Sequence, residues 1–91
     1  MALSWPSKDP DEVLDYVINW ADRLDTDTIL SSTWVLPDSI TKDSANASVS
    51  VTTIWLSGGV VSETAIPILN RIVTNGGRTM DQTVNIVISH K

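Results

Sequence analysis

The sequence predicts an all-β fold, a small antiparallel β-sandwich, on three observations: its β-branched content, its turn chemistry and its length. Ten Val, nine Ile and ten Thr stand among 91 residues, against five Ala, two Glu, three Lys and three Arg. Residues that suit a pleated surface therefore far outnumber those that suit an exposed helix. Ser57-Gly58-Gly59 and Thr74-Asn75-Gly76-Gly77-Arg78 break apolar runs at spacings that fit short strands joined by tight turns. No strand–helix–strand pattern marks a parallel unit, and a chain of 91 residues suits an immunoglobulin- or fibronectin-like sandwich.

Residues 1–10 hold two Pro and few apolar groups beyond Leu3 and Trp5, so they are expected as an extended N-terminal arm, with one sandwich domain over 11–91. From Asp15 to Trp20, Tyr16, Ile18 and Trp20 alternate with Val17 and Asn19, which reads as a strand. The wider stretch from Asp11 to Leu24 also carries a helical spacing of Val13, Tyr16, Val17, Trp20 and Leu24 with Asp9 as a possible cap, but β-branched and aromatic content favours the strand. Ile29 to Leu36 is a strand stopped by Pro37-Asp38, and Val49 to Leu56 is another, ended by the Ser57-Gly58-Gly59 turn.

The clearest hairpin runs from Ile66 to Ser89 with Asn75-Gly76-Gly77 at its tip. In its second arm Gln82, Val84, Ile86 and Ile88 make a mostly apolar face, and Thr83, Asn85, Val87 and Ser89 a mostly polar one, as in a half-buried strand. Its first arm has apolar groups on both faces, which places it inside a sheet. The core is expected around Trp34, Trp20 or Trp55, supported by Ile54, Leu56, Ile72, Val84 and Ile86.

Chemistry is poorly supplied. The absence of Cys removes disulfides, thiolate nucleophiles and Cys-based zinc sites. Asp22, Asp25 and Asp27 are close in sequence, yet the EF-hand order of ligands and Gly is missing, so a solvated loop is the reading and no metal or other cofactor is expected. Asp9, Asp11, Glu12 and Asp15 form a second acidic group that suits turn capping. The single imidazole, His90, lies beside the carboxyl terminus, and Glu63 has no identified carboxylate partner, so no catalytic residues are assigned and the chain is expected not to be an enzyme. Asn46-Ala47-Ser48 matches a glycosylation acceptor with no secretory signal beside it.

A net charge of -5 opposes nucleic acid and anionic membranes as partners. No apolar run approaches the ~20 residues that span a bilayer. The opening Met1-Ala2-Leu3-Ser4-Trp5-Pro6 has neither a basic nor an apolar leader segment, so a complete chain made in the cytoplasm is expected. Charge is uneven: residues 1–45 carry nine acids and three bases, and residues 46–91 two acids and three bases. The plain reading is a generally acidic surface. The sharper one is a docking surface made by the acidic first half and the arm, with Trp5, Pro6, Asp9 and Pro10 as interface residues and Trp5 as anchor. Against that stands the reading in which Trp5 folds back over the sandwich.

The run from Trp5-Pro6-Ser7-Lys8-Asp9-Pro10 to Tyr16, with Ser32-Thr33-Trp34, Trp55-Leu56-Ser57-Gly58-Gly59 and Gly76-Gly77-Arg78-Thr79, resembles the short tailed-phage proteins described as fibre-tail adaptors. The likeness covers most of the chain and includes no catalytic motif. It implies a non-enzymatic virion protein with an immunoglobulin-like sandwich, made in the bacterial host cytoplasm and located in the tail or neck. Its partners would be tail, neck or fibre proteins, with several copies per particle multiplying weak contacts. Where such proteins carry an aromatic residue before the last hairpin, this chain has Thr64-Ala65-Ile66-Pro67, so a tyrosine-corner lock is not carried over. An exposed edge strand, not identified from the sequence, would offer pairing to a neighbour, and Thr83 to Ile88 is the stretch in which proline substitutions would test it. The alternatives are a capsid decoration protein, or a carbohydrate-binding sandwich with two or three exposed Trp.

Overall fold

Two-residue periodicity in the second half of the chain translates directly into burial. In the computed structural model, which describes residues 3–62 and 64–91, Ile54, Leu56, Ile68, Ile72, Val84, Ile86 and Ile88 are all fully buried. The described residues form seven strands, β1 (Leu3–Ser4), β2 (Leu14–Asn19), β3 (Ile29–Val35), β4 (Ile40–Ala47), β5 (Val51–Gly58), β6 (Ile66–Thr74) and β7 (Thr79–Ile86); these buried residues lie on β5, β6 and β7, with Ile88 in an isolated bridge just beyond. One helical turn, α1 (Ala21–Leu24), follows β2. The strand reading of residues 15–20 therefore holds, and only the end of the ambiguous stretch turns helical.

The strands form two sheets, β1-β7-β6-β3 and β2-β5-β4, with the core between them. All pairs are antiparallel except β1 with β7, where Leu3 lies opposite Val84 and Ser4 opposite Asn85 in parallel. This is the immunoglobulin-like arrangement, with chain-adjacent hairpins β4–β5 and β6–β7 and crossovers between the layers. β6 lies inside its sheet, as its two apolar faces required.

Two tryptophans belong to the core and a third does not. Trp20 and Trp34 are 1% and 9% exposed, whereas Trp55, on the odd and outward face of β5, is 39% exposed. Trp20 also organises a buried polar hub. Its indole N–H donates to Thr52 Oγ1 (3.2 Å) and Asn70 Oδ1 (3.1 Å), and Thr52 Oγ1 donates to the same Asn70 oxygen (2.7 Å). The Asn70 amide then donates to Ser32 Oγ and the Thr33 carbonyl, so the hub ties β5, β6 and β3 across the two layers.

The β6–β7 tip is fastened to the loop after α1. Gly77 adopts a positive φ of 89° and donates its N–H to the Thr74 carbonyl. Gly76 N–H donates to Asp27 Oδ1 (2.9 Å), and a Cβ there would meet the Asp27 carboxylate at 2.7 Å, so only Gly permits the approach. Arg78 completes the latch, donating to Asp27 Oδ2 and to the Leu24 carbonyl.

The arm lies along the sandwich. Beyond β1, Trp5 N–H donates to the Asn85 carbonyl, Lys8 N–H to the Val87 carbonyl and Ser89 N–H to the Lys8 carbonyl. This closes the stretch from Thr83 to Ile88 to pairing with a neighbour: β7 has β6 on one side, and the other side is taken up by residues 3–8.

Candidate docking groove

The arm crosses the seam between the sheets at Trp5. Its ring stacks on Tyr16 (4.8 Å between centroids), tilts against Trp34 (6.1 Å), and its indole N–H donates to the Val17 carbonyl on β2 (3.2 Å). Trp5 is thus folded back on the chain's own aromatics, and it bridges the first sheet to the edge of the second. It remains partly exposed because it forms one wall of a groove of about 400 Å³. Pro6 and Ser7 continue that wall, residues 14–17 of β2 make the other, and Lys91 stands at its side.

Lys8 holds the arm in place. Its side chain is buried and its ammonium donates to the carbonyls of Asp9 (2.8 Å) and Gly58 (2.7 Å). Burial lowers its pKa from the ordinary lysine value, against the opposing pull of Glu12, Asp9, Asp11 and Asp43. Asp9 and Pro10 form the turn that follows. Asp9 accepts the N–H groups of Asp11 and Lys91, which hold its carboxyl below the usual range, and its own N–H donates to Glu12 Oε1.

Of the four sequence-derived interface residues, Trp5 and Pro6 line the groove, while Asp9 and Pro10 sit in the adjoining turn. Leu14, Tyr16, Val17 and Lys91 were not anticipated, because the groove joins three segments remote in the chain. Tyr16 carried the one available signal, as the sole tyrosine in an alternating strand. It is 7% exposed, and its hydroxyl has no hydrogen-bond partner among the described residues; the same holds for the Trp34 indole N–H. Burial first, then Glu12 and Asp15, raises the Tyr16 pKa.

The other candidates are placed elsewhere. Asp27 is engaged by Thr28, Gly76 and Arg78, while Asp22 and Asp25 are exposed in and after α1. Among the described residues no group of three or more His, Asp or Glu could hold a metal ion. His90 is exposed near the end of the chain, Asn46 and Ala47 end β4, and Glu63 lies outside the described residues. A second cleft, of about 170 Å³ between Ser32 and residues 45–47, has no titratable side chain. No helix among the described residues is long and apolar enough to cross a membrane.

A structure search finds the PKD domain of the KIAA 1837 protein, solved in solution, at a TM-score of 0.58 and 20% identity, covering 96% of this chain and 83% of that one. That likeness establishes the immunoglobulin-like fold. No curated protein sequence matches. A family model, the podophage GP4 fibre-tail adaptor protein gp77, matches residues 8–87, leaving Trp5 and Pro6 just ahead of the matched region. With most of its length matched, the chain belongs to the podophage GP4 fibre-tail adaptor family.

Proposed function

We propose that this chain is a non-enzymatic component of the phage tail or neck that joins tail proteins to fibres through protein–protein contacts. The match of residues 8–87 to the fibre-tail adaptor family carries the reading. The family supports a structural adaptor role in the tail region of the virion; the docking surface, the copy number and synthesis in the host cytoplasm are parts of this proposal. The docking end is the one bearing Trp5, Pro6, Asp9 and Pro10, where an aromatic-walled groove opens beside an acidic turn. Several copies around the tail axis would make weak contacts at such a groove sufficient.

Burial of Trp20 and Trp34 removes two of the four indoles from any carbohydrate-stacking platform. Gold labelling of an epitope-tagged copy in purified particles, viewed by electron microscopy, tests the location. Label at the tail or neck is expected. Label spread over the head would replace the adaptor reading with a capsid decoration role, and unlabelled particles would overturn both.

A further inference from the structure

A two-layer sandwich of this kind has four lateral edges, and three of them are blunted. The β7 edge is taken up by the arm. β3 is bulged between Ile29 and Ser31, and Ile29 N–H donates to the Val49 carbonyl of the opposite layer. β4 is bulged between Lys42 and Ser44 and carries Lys42 and Asp43 at the irregularity. Bulges, charges and cover are the usual protections against unwanted strand pairing. β2 has no bulge, carries the single charge of Asp15, and is covered only at Val17, whose carbonyl accepts the Trp5 indole N–H. It pairs with β5 in unbroken register from Leu14 to Asn19, and among the described residues no strand lies on its other side.

The direction of its backbone is fixed by two bonds. Trp20 N–H donates to Ser50 on the β5 side, whereas the Val17 carbonyl points the other way, to the Trp5 indole. Because N–H and C=O alternate sides together along an antiparallel strand, Asp15 and Val17 present their backbone groups to the groove. The groove thus pairs a strand edge with an aromatic wall and an apolar floor. Its lining holds one anion, Asp15, and one cation, Lys91, and the acidic excess comes from Asp9, Asp11 and Glu12 in the adjoining turn.

We infer that the β2 edge receives an extended segment of a partner virion protein, bearing Lys or Arg, which adds as a strand through the Asp15 backbone groups and the Val17 N–H, beside the Val17 carbonyl that Trp5 holds, and lays apolar side chains against Trp5 and Tyr16. The inference rests on the adaptor reading for the partner's nature, and on the edge geometry for its mode of binding. Backbone bonds supply the pairing, and the acidic turn selects the charge.

The test is amide hydrogen exchange by NMR on the full chain, titrated with a synthetic peptide alternating lysine and valine and, separately, with its glutamate–valine counterpart. The basic peptide is expected to slow exchange at Asp15 and Val17 by about tenfold or more, the size of a newly formed ladder bond. The acidic peptide should leave it unchanged. Val17→Pro, which removes an outward N–H and leaves the bonds from β2 to β5 their donors, should abolish the protection. Should that variant not fold, Asp15→Lys takes its place and should weaken the preference for the basic peptide. Failure of the basic peptide to protect these amides, or equal protection by both, overturns strand addition. Gold label at the tail in the same circumstances would leave the adaptor reading standing.

Discussion

Two tryptophan clusters share this small core, meeting where Trp34 pairs across the strands with Asn70, and they treat their polar atoms in opposite ways. Around Trp20 the indole N–H, the Thr52 hydroxyl and both ends of the Asn70 amide are hydrogen-bonded. Around Trp5, the Tyr16 hydroxyl and the Trp34 indole N–H are buried with no partner among the described residues. A satisfied network in a low-dielectric interior fixes one arrangement, whereas a buried orphan group costs its full desolvation. The Trp20 side is therefore the structural anchor. The Trp5 side, where the groove opens, is where the molecule carries its unpartnered buried polar groups.

The largest expected effect follows from the anchor. Trp20→Ala removes a 1%-exposed indole together with its stacking under Arg23, 5.0 Å from the ring centroid, and should cost roughly 3–5 kcal/mol. In a domain of this size that approaches the whole stability, so urea unfolding should find the variant largely unfolded at low denaturant. A loss below about 1 kcal/mol would show that the hub is dispensable and remove the contrast.

Asn70→Ala should come next. It preserves the strand but strips partners from Trp20, Thr52, Ser32 and Thr33 at once, for an expected loss of about 2–3 kcal/mol. A double-mutant cycle with Thr52→Val should show coupling, because the Thr52 hydroxyl donates to the Asn70 oxygen. Additive effects would mean that the three residues do not act as a network.

Sequence made the inward faces legible and left the seams obscure. Ile54 and Leu56 on β5, and Val84 and Ile86 on β7, follow from alternation alone, because a buried face imposes period two. β4 gave no such signal: Thr41 to Ala47 are all exposed, and its pairing is made by the backbone of β5. The same reason hid the arm. Its attachment to β7 is a set of main-chain bonds plus Lys8 reaching two carbonyls, and no periodicity announces either. Trp5 and Pro6, which line the groove, stood out in the sequence because a tryptophan in a polar, proline-rich opening is unusual. Their opposite wall, residues 14–17, was not, since Tyr16 reads simply as an inward strand position.

The latch beside the Trp20 cluster gives a pH-dependent effect of intermediate size. Hydrogen bonds from Thr74, Thr28 and Gly76 and the Arg78 guanidinium hold the Asp27 carboxyl at about 2, below its ordinary 3.8. A depressed carboxylate pKa contributes stability that is complete above the ordinary value and is lost as pH falls towards about 2. Thermal melts of wild type and Asp27→Asn should therefore differ near neutral pH and converge in that acid window. A gap that persisted unchanged at the acid end would mean that the charge of Asp27 contributes nothing to the latch.

Tyr16→Phe should have the smallest effect and, unlike the others, no unfavourable sign. The ring remains to stack on Trp5, while a hydroxyl that is buried without a partner is removed together with its desolvation cost. Replacing an orphaned polar group by an apolar one of the same shape is neutral or stabilising, here by at most about 1 kcal/mol. Burial and the charges of Glu12 and Asp15 already disfavour ionisation of this phenol, so its loss removes no useful charge. Thermal melting should show an unchanged or higher midpoint. A clear drop would reveal a hydrogen bond to the hydroxyl in solution, and the two clusters would then differ in location and not in kind. Paired with the peptide titration, the variant sharpens the contrast further. A segment that reaches the Tyr16 oxygen when it enters the groove should bind Tyr16→Phe more weakly even as the free protein gains stability, a separation of folding from docking that no residue of the Trp20 hub should produce.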